Sequence, residues 1–74
     1  MITFMKTLRG FERGEFVDRY GVKCSIQKSS LATGDCIWLG TDFKRMHLTR
    51  DQVKELLSVL QCFVETGNLP DDET

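Results

Sequence analysis

The stretch that decides the fold is a helix start signal, Leu48-Thr49-Arg50-Asp51-Gln52-Val53. The hydroxyl of Thr49 is predicted to cap the first turn, and Gln52, three residues later, completes a capping box by reaching back to the Thr49 backbone. Leu48 and Val53 occupy the two positions of a hydrophobic staple. A helix is therefore expected to begin here and to run towards the carboxyl end of the chain.

This predicted helix has one apolar side. At about 100° per residue, one continuous arc contains Val53, Leu56, Leu57, Leu60, Phe63 and Val64, with Val59 at its edge. Cys62 lies almost opposite the centre of that arc and is predicted to be exposed. Gly67 is expected to end the helix in a left-handed conformation, and Pro70 prevents its continuation. Residues 68–74 are predicted to form a frayed acidic tail.

The residues before the helix have strand composition. Residues 15–18 and 22–28 flank a turn at 19–21 that contains Gly21, which predicts a hairpin. A third strand is expected over 36–40 and a short fourth one over 43–48. In the third strand Ile37 and Leu39 alternate with Cys36 and Trp38. Residues 1–10 fit both strand and helix spacing, and strand or irregular structure is favoured.

The sequence therefore predicts an α+β fold, a three- to four-stranded antiparallel meander packed by one C-terminal α-helix. Its 74 residues form one small domain, 1–74, near the lower size limit for a self-sufficient core. Because ordering each residue costs about 1–2 kcal/mol in backbone entropy, a homodimer or a tight complex would help such a chain.

Composition narrows the function. Ten basic and eleven acidic side chains leave a net charge of −1, which argues against a direct nucleic-acid partner. No apolar run is long enough to cross a membrane and no secretory signal is present, so a cytoplasmic protein is expected. Three cysteines without CxxC spacing and a single histidine predict no metal site and no cofactor. No arrangement of acid, base and nucleophile indicates an enzyme.

Two sets of residues are candidates for binding. The set favoured for contact with a protein partner is Arg19, Tyr20, Trp38, Arg45, His47 and Cys62. The alternative set, for a small ligand, is Ser29, Ser30, Arg45 and His47. Simpler roles stay open for the same residues: Trp38 in the core, Tyr20 folded back over the hairpin, Arg45 and His47 as a strand-end surface pair, and the serines as turn residues.

Four runs, residues 14–21, 29–32, 36–40 and 46–52, resemble a group of small phage and prophage proteins with no assigned reaction. The resemblance extends from about Gly14 to Leu69, although many members carry a longer insert before Met46-His47-Leu48. It implies a non-catalytic protein that binds and blocks a host or bacterial defence protein, as an anti-CRISPR inhibitor does. The alternatives are an oligomeric protein that sequesters a nucleotide signal and, less favoured, a DNA-associated regulator.

Overall fold

The structure, a computed structural model, describes residues 1–30 and 33–70. These residues form one antiparallel sheet with the order β1-β2-β3-β4-β5, followed by one helix. The elements are β1 (Thr3–Lys6), β2 (Glu12–Val17), β3 (Lys23–Lys28), β4 (Cys36–Thr41), β5 (Arg45–Thr49) and α1 (Arg50–Thr66). The α+β class and the meander are confirmed, with five strands rather than three or four.

The additional strand is β1, formed by the amino-terminal segment. It pairs with β2 so that Phe4 lies opposite Gly14. A Cβ atom at Gly14 would lie 2.8 Å from Cγ2 of Ile2 and 2.9 Å from Cε1 of Phe4. The absence of a side chain at Gly14 therefore lets both residues lie directly over the backbone of β2, which the sequence pattern alone does not reveal.

Two tight turns fix the register of the meander. In the predicted hairpin turn, Oδ1 of Asp18 accepts from the backbone N–H groups of Tyr20 at 2.8 Å and Val22 at 2.9 Å. Near the end of β4, directly before the turn to β5, Gly40 has a φ of 150°, and a Cβ atom there would lie 2.5 Å from the carbonyl oxygen of Lys44. Glycine is therefore required at position 40.

The register divides the sheet into two faces, because directly paired residues project to the same side. The apolar face carries Ile2, Phe4, Phe16, Cys24, Ile26, Ile37, Leu39, Met46 and Leu48. The polar face carries Arg13, Ser25, Gln27, Trp38, Arg45 and His47. The predicted separation of Ile37 and Leu39 from Trp38 is confirmed.

Both ends of α1 have the predicted geometry. Oγ1 of Thr49 accepts from the Gln52 backbone N–H at 3.2 Å, and Oε1 of Gln52 accepts from the Thr49 N–H at 3.0 Å. Gly67 adopts a left-handed conformation with a φ of 78° and donates its N–H to the Phe63 carbonyl at 2.8 Å. In the predicted tail, Asn68 donates its N–H to Oγ1 of Thr66 at 3.0 Å. Residues 71–74 lie outside the described residues.

The helix does not pack over the sheet, and that prediction is wrong. It leans on the edge strand β5, and no helical residue is buried. The side chains of Leu57, Phe63 and Val64 are 62%, 54% and 75% exposed. The physical reason is the connection: α1 begins at Arg50, directly after the last residue of β5, so no loop is present to turn the helix back across the apolar face.

The predicted exposure of Cys62 is also wrong. Its side chain is half-buried, and its Sγ atom donates towards the carbonyl oxygen of Asn68 at 3.6 Å. The chain that follows Gly67 folds back against this side of the helix. On the apolar side, which was expected to be covered, Val53, Leu56 and Val59 are half-buried, whereas Leu57, Leu60, Phe63 and Val64 are exposed.

Replacing Thr49 with alanine should lower the free energy of unfolding by about 1 kcal/mol, because the N-terminal amides of α1 lose their side-chain acceptor. Thr49→Ser keeps the hydroxyl and is the matched control. Urea denaturation followed by far-ultraviolet circular dichroism measures both variants. Equal midpoints for the alanine and serine variants would contradict a stabilising cap.

Gly40→Ala should lower the free energy of unfolding by about 1–3 kcal/mol, because the new methyl group collides with the Lys44 carbonyl and the backbone conformation disfavours a side chain. Gly34→Ala is the control, since no atom lies within 4 Å of a Cβ there and its φ is not positive. The same urea experiment should show little change for Gly34→Ala. A similar loss in both variants would show that the turn geometry is not the cause.

Candidate functional site

The centre of the polar face is an aromatic pair on adjacent strands. Trp38 of β4 lies directly opposite His47 of β5. Their rings stack, with centroids 4.0 Å apart and an interplanar angle of 14°. Both side chains are half-buried. Each ring covers one face of the other, so the two rings limit each other's rotation and form a rigid unit in the middle of this face.

Arg45 places a positive charge beside this aromatic pair. Its guanidinium carbon lies 5.4 Å from the centroid of the Trp38 ring, within the range of a cation–π contact. Among residues 1–30 and 33–70, no carboxylate oxygen lies within 4.0 Å of the Arg45 guanidinium. The charge of Arg45 therefore lies against an aromatic ring rather than against a carboxylate. Its remaining N–H donors are available to an external anion.

Gln27 of β3 connects Arg13 of β2 with Arg45 of β5. Its Oε1 atom accepts from Nη1 of Arg13 at 2.8 Å and from Nη1 of Arg45 at 3.2 Å. Arg13 differs from Arg45 because it also forms ion pairs with Glu15, at 3.1 Å, and with Asp42, at 3.6 Å. The charge of Arg13 is thus largely balanced by carboxylates of the same chain. Arg45 is the arginine of this pair that can still bind an external anion.

Two serines complete the floor of the site. Oγ of Ser29, a buried residue, lies 3.0 Å from Nε2 of His47 and fixes the orientation of the imidazole. Ser25 has no exposed surface, and its hydroxyl oxygen has no hydrogen-bond partner among the residues that the structure describes. A buried hydroxyl without a partner costs free energy, so the centre of the polar face is not optimised for stability alone.

The structure brings together part of each predicted set. Trp38, Arg45 and His47 share the polar face, and Ser29 contacts His47. Ser30 follows as an exposed residue beyond the end of β3.

The remaining predicted residues lie elsewhere. Arg19 and Tyr20 belong to the turn before β3. Within β3, Gln27 lies four residues beyond the first residue, Lys23, which is a distance of about 13 Å at strand spacing. Cys62 contacts Thr66 and Asn68 at the far end of α1. These three are not part of the constellation around Trp38.

Sequence reasoning missed Arg13, Ser25 and Gln27. The alternation of β3 does place Ser25 and Gln27 on the solvated side, so the signal for the strand was present. What was absent was the register, which sets Gln27 between Arg13 and Trp38. A period of two identifies a face but not which strands meet on it.

A second charged cluster lies beside the start of α1. Nζ of Lys28 donates to Oδ1 of Asp35 at 2.7 Å, and Nη1 of Arg50 lies 3.6 Å from Oδ2 of the same residue. The hydrogen bond and charge of Lys28, with a smaller contribution from Arg50, lower the pKa of Asp35. This carboxylate is fully occupied by cations of its own chain and acts as a structural ion pair.

The polar face can bind an anion that carries a planar group. Arginine N–H donors suit phosphate or carboxylate oxygens, and tryptophan, histidine and arginine planes stack on aromatic rings. Within residues 1–30 and 33–70, no three His, Cys, Asp or Glu residues lie close enough together to hold a metal ion. No helix in this part of the chain has the length and apolar character needed to span a membrane.

Comparison with known proteins adds no relative: no family model, no curated protein and no solved structure matches this chain. The resemblance to small phage proteins therefore stays a prediction based on the sequence runs alone. The function has to be argued from the constellation on the polar face.

Replacing Lys28 with glutamine should raise the pKa of Asp35 towards its ordinary value, because the main hydrogen bond and the nearest positive charge are lost. Lys23→Gln, on the same strand, is the control. In the native chain the lowered pKa stabilises the fold at pH values above the unfolded pKa of Asp35, and this contribution is lost as pH falls through the folded pKa. A carboxyl-detected NMR titration measures the change. An unaltered Asp35 titration in Lys28→Gln would contradict the ion pair.

Proposed function

We propose that this chain is a non-catalytic binding protein that sequesters a phosphate-bearing nucleotide signal on its polar face. The observation that carries this proposal is Arg45, whose guanidinium lies against the stacked Trp38–His47 pair with no carboxylate near it in the described part of the chain. A cation held in place and lacking a negative partner is suited to an anionic ligand.

The ligand class follows from what surrounds this cation. The face combines the guanidinium donors of Arg45 with the aromatic rings of Trp38 and His47. Phosphates are recognised by arginine forks, and nucleobases by stacking against aromatic or guanidinium planes. An inorganic anion would use only the first of these, whereas a nucleotide uses both.

The site supports binding rather than conversion. Its histidine is paired with a serine and a tryptophan, and the carboxylates of Glu15 and Asp42 are paired with Arg13. A protein that captures a signal stoichiometrically needs complementary donors and no leaving-group chemistry. This role also agrees with the resemblance to phage proteins, for which removal of a bacterial defence signal would be useful.

The second candidate function is blocking of a host or defence protein in the anti-CRISPR manner. The observation that favours it is Tyr20, which is 84% exposed at the tip of a turn anchored by two hydrogen bonds to Asp18. Tyrosine beside Arg19 on a rigid turn is typical of a contact hot spot in a protein interface.

Thermal shift and isothermal titration with cyclic di-AMP, ADP and inorganic phosphate test the first proposal. The native chain is expected to melt several degrees higher with at least one nucleotide and little higher with phosphate, because only the nucleotides offer a ring to stack. Arg45→Gln should weaken the affinity for that nucleotide about tenfold or more, the equivalent of one charge-assisted hydrogen bond.

Lys44→Gln is the matched control, since it removes a neighbouring exposed charge that lies outside the polar face. Equal losses in the two variants would indicate general electrostatic attraction rather than a site. A different result would favour the second candidate function: no nucleotide binds, and a defence protein binds the native chain. In that case the Tyr20→Ala variant should lose this binding while its melting temperature stays unchanged.

A further inference from the structure

β1 is an edge strand whose outer side is open. The sheet order places β1 at one edge and β5 at the other. The β5 edge is flanked by α1, whereas β2 is the one strand within residues 1–30 and 33–70 that pairs with β1. Every residue of β1 is exposed. The outer side of β1 therefore presents a row of backbone N–H and C=O groups to which a further strand can bond.

A hydrogen bond at the turn between β1 and β2 shows which backbone groups of β1 point outward. Thr7 donates its N–H to the carbonyl oxygen of Phe11 at 2.8 Å, so the backbone of Thr7 faces β2. Because this direction reverses at each residue of an antiparallel strand, the N–H and C=O groups of Lys6, Phe4 and Ile2 point away from β2.

The neighbouring hairpin gives the same result. Asp18 donates its N–H to the carbonyl oxygen of Val22 at 3.0 Å, so every second residue back along β2 from Asp18 faces β3. Arg13 and Glu15 therefore face β1, where they lie opposite Met5 and Thr3. These two residues of β1 bond to β2, and the residues that alternate with them are the ones open to a partner.

β1 lacks most of the features that keep natural edge strands apart, which are bulges, prolines and charged side chains. Its pairing with β2 runs without a bulge from Thr3 to Lys6. The one proline of the chain, Pro70, lies far away in sequence, and Lys6 is the one charged residue of β1. Phe4 is 67% exposed in the middle of the strand. The edge is therefore suited to pairing rather than protected from it.

We propose that β1 pairs with β1 of a second copy of this chain, antiparallel and about a twofold axis that passes beside Phe4. In this register Phe4 lies opposite the partner's Phe4, and Lys6 lies opposite the partner's Ile2. Each pair exchanges backbone hydrogen bonds, because all of these residues direct their N–H and C=O groups outward. The open row is thus complementary to itself, which is the requirement of a twofold interface.

The side chains favour the antiparallel register. The Phe4 ring lies over the bare backbone of Gly14 and keeps most of its surface exposed, so the two rings meet on the apolar face at the axis. Lys6 lies four residues along the strand from the partner's Lys6, about 13 Å at strand spacing. An in-register parallel pairing would instead place the two lysines side by side, and like charges on adjacent strands are destabilising.

Pairing at β1 closes the assembly at two copies, because it uses the β1 edge of both and the β5 edge is flanked by α1. The axis is perpendicular to the sheet, so the two polar faces lie on the same side of one ten-stranded sheet. Arg45 belongs to β5, at the opposite edge from β1, and stays uncovered. Dimerisation and ligand binding therefore use different parts of the molecule, and either proposal can fail without the other.

Sedimentation velocity on the full chain tests the dimer, with twice the 8.5 kDa chain mass expected at high protein concentration. Lys6→Pro should weaken dimerisation about tenfold or more, because each copy loses an N–H donor to the partner and the proline ring lies in the interface. The hairpin should persist, since this N–H points away from β2. Lys6→Gln is the matched control: it removes the same charge, keeps the N–H and should remain a dimer.

Amide hydrogen exchange of the native chain, followed by NMR, keeps the test decisive if Lys6→Pro does not fold. In a monomer Thr3 and Met5 are protected by β2, while Phe4 and Lys6 exchange freely. In the proposed dimer Phe4 and Lys6 become protected as the protein concentration rises. A chain that sediments as a monomer at all concentrations overturns the proposal. A dimer in which Phe4 and Lys6 still exchange freely overturns it as well, because the copies then meet through another surface.

Discussion

One residue, Thr49, ends the last strand and caps the helix, and the rest of the structure depends on this direct junction. Its backbone belongs to β5 while its hydroxyl accepts from Gln52, so strand and helix share a boundary without a loop. With no loop between them, α1 begins beside β5, and its contacts with the sheet are made to this edge strand. The apolar arc of α1 therefore lies beside the sheet instead of over it, and the apolar surfaces of both remain open.

The same meander produces a second surface of the opposite character. Close pairing of five short strands places side chains from four of them on one patch, where Gln27 bridges two arginines and Trp38 stacks on His47. Within this patch the two cations differ. Arg13 is neutralised by carboxylates of its own chain, while Arg45 rests against an aromatic ring. This asymmetry concentrates the capacity for an external anion at one residue.

The two faces impose different physical demands. The apolar face of the sheet leaves Phe4 and Met46 exposed to water, and the apolar arc of α1 leaves Leu57, Phe63 and Val64 exposed. On the polar face the buried hydroxyl of Ser25 has no hydrogen-bond partner within residues 1–30 and 33–70, and a protein selected for stability alone would pair or replace it.

The sequence by itself determined the local structure. The capping box at Thr49, the left-handed end at Gly67 and the hairpin turn after Asp18 are set by hydrogen bonds between residues at most four positions apart, and all three were predictable. The strand alternation likewise placed Trp38 away from Leu39. Only the tertiary structure decided where the helix lies, that the amino-terminal segment pairs with Gly14, and that Arg13 and Gln27 join Arg45. These depend on strand register and on chain direction at a junction, which involve residues far apart in sequence, and hydrophobic periodicity does not encode them.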